Sequence, residues 1–123
     1  METIIKGYIE ENIESLKGRL FPVFTTELSE LSIAYRFVHV SGGHLKQSQL
    51  ELKIIDEKYD NCKFFERKIL NLLDMEEDET FVNYKGLRFH SQVSGGGVLF
   101  NDGCLKFEDT LYFTIDWRKK DVI

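Results

Sequence analysis

Over the first twenty positions the large apolar residues fall at Ile5, Ile9, Ile13, Leu16 and Leu20, spaced by four, four, three and four. That is one stripe of a helix, and it predicts an α-helix over residues 3–17, with Lys6, Glu10, Glu11, Glu14 and Lys17 on its other faces. Gly18 stands where such a helix stops, and Pro22 bars its continuation. The polar stretch 25–30 reads as a connection. From Leu31 to Val40 the pattern changes to strict alternation, with Ile33, Tyr35 and Phe37 on one side. Residues 49–55 alternate again, and the short Ser41-Gly42-Gly43-His44 turn between the two runs predicts an antiparallel hairpin.

A second helical stripe follows through Cys62, Phe65, Ile69, Leu72 and Leu73, with Asp60 as its expected N-cap. Residues 74–79 carry five acids in six positions, a loop composition, because carboxylates oppose the macrodipole at a helix C-terminus. Residues 81–93 read as a strand interrupted at Gly86. The glycines 95–97 and Asn101-Asp102-Gly103 read as turns. The last strand is the clearest, with Leu111, Phe113, Ile115 and Trp117 facing a core and Tyr112, Thr114 and Asp116 facing away. The order predicts a single α+β domain over residues 1–123: a mainly antiparallel sheet of about four strands with two helices packed on one face. The expected core comprises Ile9, Ile13, Leu16, Ile33, Leu52, Phe65, Ile69, Leu72, Phe113 and Ile115.

Composition agrees with a packed domain. The 123 residues include ten Phe, five Tyr and one Trp, which excludes general disorder. Sixteen basic against twenty-one acidic residues leave a net charge of −5, the wrong sign for sequence-independent nucleic-acid binding. No apolar run is long enough to span a bilayer, and the acidic start lacks the pattern of a signal peptide. A cytoplasmic setting is expected, with Cys62 and Cys104 as reduced thiols.

Candidate chemistry is sparse. His39, His44 and His90 show no zinc-ligand spacing with each other or with the cysteines. Cys62 lies on an apolar stripe, where a thiol is inert packing. The two glycine clusters fall between strands and not before a helix, so they do not form a phosphate loop. No catalytic, cofactor-binding or metal-binding residue is assigned. Val98, Leu99 and Phe100, an apolar tip beside glycines, together with Arg36 and Arg88, are the candidate protein-interface residues. Alternating strands with apolar residues on the minor face (Val38, Val40, Ile55) leave sheet edges that call for a partner.

Four pieces in sequence carry a family resemblance: the amphipathic segment 4–20; the hairpin Ile33-Ala34-Tyr35-Arg36-Phe37-Val38 with Leu50-Glu51-Leu52-Lys53-Ile54-Ile55; the stretch Asp56-Glu57-Lys58-Tyr59-Asp60 leading to Ile69-Leu70-Asn71-Leu72-Leu73; and the closing strand Asp109 to Trp117. In this arrangement the chain resembles the tail terminator, or tail completion, proteins of tailed phages and phage-tail-like particles of Gram-positive bacteria. The resemblance implies a structural, non-enzymatic protein without cofactor. Such a protein forms a ring, usually a hexamer, on the head-proximal end of the tail tube, ends tube polymerisation and joins the tail to a neck or head-completion protein. It implies a place in the virion tail, assembled in the host cytoplasm, with DNA passing through the ring unbound. On that reading Glu10, Glu11 and Glu14, or Glu76, Glu77 and Glu79, are the expected acids of a negatively charged bore. The segments 20–30 and 95–104 have no counterpart in the pattern. Three other readings stand beside it: another ring-forming neck component, a monomeric acidic binder of the immunity or inhibitor kind that neutralises a basic partner, and, ranked last, a small enzyme whose site the sequence does not reveal.

Overall fold

The computed structural model describes residues 1–23, 30–43, 45–78 and 80–119. The expected connection at 25–29, His44, Glu79 and the last four residues lie outside the described residues. Two helices and six strands appear in the order α1 (Glu2–Asn12), β1 (Leu20–Pro22), β2 (Ser32–Ser41), β3 (Lys46–Asp56), α2 (Tyr59–Leu73), β4 (Val82–Tyr84), β5 (Leu87–Asn101) and β6 (Lys106–Lys119), with a 3-10 turn at Glu14–Leu16 after α1. The strands form one sheet, ordered β1-β2-β3-β6-β5-β4. Every pairing is antiparallel except β1 with β2.

The α+β class is as expected, but the sheet is mixed and has six strands, where about four antiparallel ones were expected. The additional strand is β1, and the expected strand 81–93, interrupted at Gly86, is two strands, β4 and β5, that turn back on each other there; β1 and β4 have three residues each. Such short segments carry too few positions for a period to show. Tertiary contacts hold β1: the Arg19 side chain donates to the Leu31 carbonyl at 2.8 Å and to Ser32 Oγ at 3.0 Å, and the Val23 amide donates to the Tyr35 carbonyl at 2.7 Å. At β4, Lys85 and Gly86 both have positive φ, 46° and 81°. That is the geometry of a two-residue hairpin turn whose twist matches its strands.

The first helix is shorter than its stripe. It ends at Asn12, and Ile13 turns extended (φ −123°, ψ 82°) before the 3-10 turn. Ile13, Leu16 and Leu20 are nevertheless buried, so the stripe records core contacts across three different backbone conformations. The second helix begins at Tyr59 with Lys58 at the N-cap position, two residues earlier than an Asp60 cap. Asp56 directs this start, accepting from the Lys58 amide and the Asn61 side-chain amide, both at 3.0 Å.

One core lies between the helices and one face of the sheet. Ile5 and Ile9 of α1, Cys62, Ile69 and Leu73 of α2, and Ile33, Leu50, Leu52, Ile54, Phe89, Phe113 and Ile115 of the sheet are all buried within it. Phe65 and Leu72, expected inside, are only partly buried at its margin. Trp117 donates its indole N–H to Ser48 Oγ at 3.0 Å, so each polar group satisfies the other inside the core.

The glycine run 95–97 is not a turn. β5 continues through it to Asn101, and the chain reverses only beyond, over residues 102–105. A Cβ on Gly96 would stand 2.6 Å from the Thr110 carbonyl oxygen, whereas one on Gly97 meets nothing within 4 Å. Gly96→Ala is therefore expected to lose about 1–3 kcal/mol by overpacking, and Gly97→Ala to be neutral or to gain up to about 1 kcal/mol through the unfolded chain. Urea denaturation of the two variants side by side checks this; equal midpoints would remove the close approach at Gly96.

Candidate functional site

The helices cover one face of the sheet, and its other face is polar. Arg36 pairs with Glu51 at 3.1 Å, Tyr112 donates to Glu51 at 3.3 Å, Lys53 approaches Glu108 at 3.8 Å, and Gln47 donates to Asp116 at 3.1 Å. These partners sit on neighbouring strands, directly opposite one another except for Lys53, which reaches diagonally to Glu108, so the face carries both signs of charge, neutralised locally. Arg36 is accordingly an ion-paired surface residue. Arg88 lies partly buried beside Phe81, its guanidinium carbon 5.5 Å from the ring centre, and stands directly across from Arg118 in the ladder. Its Nε is buried with no hydrogen-bond partner among the described residues.

Both sides of the sheet end in partly unpaired strands. β1 covers β2 only from Ile33 to Tyr35, and β4 covers β5 only from Leu87 to Phe89. The chain leaving α2 adds contacts at Ser91 and Val93: the Met75 amide donates to the Ser91 carbonyl at 2.8 Å, and Asp74 accepts from the Val93 amide at 3.1 Å. Among the described residues no strand pairs with the outer edge of β2 beyond Tyr35 or of β5 beyond Val93. Val38, Val40, Leu99 and Phe100 are exposed there, and Val98 is half-buried. Val98, Leu99 and Phe100 thus stand on the end of a strand, with Phe100 packed edge-on against Phe107 at 5.0 Å. Ile55, expected on an apolar minor face, is buried.

The expected bore acids are placed as follows. Glu10 is half-buried, accepts from the Gly18 amide at 2.6 Å and lies 3.9 Å from Lys6. Glu11 accepts from the Tyr84 hydroxyl, which fastens α1 to β4. Glu14 is exposed, as are Glu76 and Glu77 after α2. All of these lie on or after helices, away from the polar sheet face. Glu79 lies outside the described residues.

Of the histidines, His39 is exposed on β2, and His90 is buried with Nε2 2.7 Å from the Glu76 carbonyl. Among the described residues no three His, Cys, Asp or Glu side chains converge to hold a metal ion, and no helix is long and apolar enough to cross a membrane. Both cysteines are free thiols. Burial, with Asp56 and Asp109 nearby, pushes the Cys62 thiol up to about 11, away from reactive thiolate chemistry.

Sequence reasoning missed one buried group. Asp109 is fully inaccessible on the core face of β6, and neither carboxyl oxygen finds a hydrogen-bond donor among the described residues. Burial first, then the neighbouring Glu66 charge, raises its pKa from 3.8 to about 6, against the pull of Lys63. The signal was present: Asp109 has the same parity as Leu111, Phe113, Ile115 and Trp117, and alternation alone places it inside.

No protein-family model matches this chain, and no curated protein matches it.

Proposed function

We propose that this chain is a tail terminator-like structural protein that acts as a ring. It closes the head-proximal end of a phage or phage-tail-like tube and offers the surface to which a neck protein binds. The supporting observation is a sheet helix-covered on one face only, whose two opposite edge strands expose Val38, Val40, Leu99 and Phe100 with no covering strand among the described residues. Unprotected edges of this kind are templates for pairing with another chain. The order of helix, hairpin, helix and closing strands also matches the resemblance drawn from the sequence. In this role the protein performs no catalysis and needs no cofactor; its partners are its own copies, the tube protein and a neck component.

The test is co-expression with a tube-forming tail protein, should one be encoded beside this chain. Electron microscopy should show tubes of limited length ending in a ring when this chain is present, and long unbounded tubes when it is left out. Tubes of the same unlimited length in both cases would exclude terminator function.

A further inference from the structure

We infer that two copies of the free chain join through the outer edge of β5, antiparallel about a two-fold axis at Val98. This goes beyond the ring reading, because a two-fold joint closes on a pair and builds no ring. Residues 95–101 keep an unbroken register with β6, from Gly95 opposite Tyr112 to Asn101 opposite Lys106, and the irregularity between Val93 and Gly95 lies outside them. Among the described residues no strand pairs with their other side. The chain outside the described residues departs elsewhere. It leaves at Val23, beside β2 and three strand spacings (about 14 Å) from β5. It leaves again at the turn between β2 and β3, after Asp78 between the contacts at His90 and Phe89, and after Lys119 opposite Leu87.

The composition of this edge fits a second copy of itself. Residues 94–101 contain no charged residue and no proline, the residues that blunt a free edge. They read Ser-Gly-Gly-Gly-Val-Leu-Phe-Asn, small first and large after. Antiparallel pairing of two copies reverses that order, so each half meets its complement. The two-fold sets one residue opposite its own copy, and Val98 is the midpoint of 95–101. Leu99 then faces Gly97, Phe100 faces Gly96 and Asn101 faces Gly95 of the second copy, each pair occurring twice. Directly opposite residues point to the same side of a sheet, so each apolar side chain lies over a glycine of the other copy. An aromatic laid across a glycine in this way restores the cross-strand contact that glycine lacks.

The single chain leaves both halves of each pair in water: Leu99 is 57% and Phe100 45% exposed, and Gly95, Gly96 and Gly97 are exposed. A Cβ on Gly97 would meet nothing within 4 Å, so the fold of one chain gives no reason for glycine there; Leu99 of a second copy does. The register is bounded on both sides. An axis at Gly97 would bring Asn101 of the second copy against Val93, whose amide Asp74 already holds at 3.1 Å. An axis at Leu99 would shorten the pairing to residues 97–101 and set Phe100 against Val98. With the axis at Val98, the seven opposed pairs add about six to eight backbone hydrogen bonds.

Sedimentation equilibrium on the full, reduced chain tests the joint. The wild type should be a dimer that dissociates on dilution. The double variants Gly97→Lys with Leu99→Lys, and Gly97→Glu with Leu99→Glu, set like charges opposite each other. Each should be monomeric with a melting temperature close to wild type, and an equimolar mixture of the two should be dimeric. The axis is tested separately in a Cys104→Ser background. Val98→Cys should oxidise to a covalent pair, because opposed Cα atoms stand about 4.5–5.5 Å apart, within disulfide range. Gly95→Cys should not, its copy lying about 20 Å away at ~3.3 Å per residue. A wild type that is monomeric at every concentration, or folded charge variants that keep the wild-type mass, would overturn the joint. So would a Val98→Cys chain that links no better than Gly95→Cys, and this comparison also decides the matter for a wild type larger than a dimer. The tube assay stays independent: terminated tubes from a monomeric chain would leave the ring reading standing without this joint, and unlimited tubes beside a linked dimer would do the reverse.

Discussion

Phe113→Ala is expected to lose about 3–5 kcal/mol of unfolding free energy, a fall in Tm of roughly 10–20 °C for a domain of this size. Phe113 is fully inaccessible and stands on β6 opposite Leu50 of β3 on one side and Val93 of β5 on the other. Removing the ring leaves a cavity between well-ordered strands, which cannot close around it as a margin can. Phe65→Ala is the comparison. Its ring is only partly buried at the edge of the core, where it meets Phe64 edge-on at 5.2 Å, and it should lose about half as much. Thermal melts of the two variants decide the matter: equal losses would mean that the helix margin is packed as tightly as the centre of the sheet.

The second large effect has the opposite sign. Asp109→Asn is expected to stabilise the protein at pH 7 by up to about 3 kcal/mol, since each pKa unit is worth about 1.4 kcal/mol. The aspartate carboxyl titrates near 3.8 in the unfolded chain and at about 6 in the fold, because burial and the Glu66 charge disfavour its ionised form. Between those pH values the folded protein holds a proton that the unfolded chain has released. Wild-type stability therefore falls as pH rises through this window, and the full loss is present above it. Asparagine carries no charge to bury and supplies a donor toward Glu66. The gap between variant and wild type should be near zero below about pH 4 and largest above about pH 6. Urea denaturation at pH 4, 5, 6 and 7 measures it directly. A gap independent of pH would mean that folding leaves the Asp109 pKa unchanged, and a destabilised variant at pH 7 would mean that its charge is held by a partner.

Much of the fold was legible where periods are long. The alternation of β2, β3 and β6 and the stripe of α2 place most of the core correctly, because burial on one face imposes a period of 2 or 3.6 on the residues that make it. The stripe through Ile13 and Leu20 misled for the same reason: hydrophobic spacing reports which residues reach the core, and a 3-10 turn and a short strand reached it here as well as a helix would. The glycine run misled because glycine marks two different needs. Local reading takes it as freedom to turn; in β5, Gly96 is instead a place where the neighbouring strand's carbonyl leaves no room for a Cβ. Of the candidate interface residues, Leu99 and Phe100 are exposed. Arg36 is held by Glu51, Glu10 by the Gly18 amide and Glu11 by the Tyr84 hydroxyl, contacts between elements that no spacing announces.

The sequence by itself determined the α+β class, the one-sided packing of two helices on a sheet, the membership of the central core and the inert character of Cys62. These follow from interactions whose periodicity is written along the chain. Only the tertiary structure decided that the sheet of the described residues has six strands with β1 parallel, that β1 and β4 each cover only three residues of their neighbours, and that Asp109 lies buried beside Glu66. Each of these depends on which distant segments meet: Arg19 with Leu31, Met75 with Ser91, Asp109 with α2. Contacts between residues far apart in sequence leave no period behind, so the chain displays their parts and not their pairing.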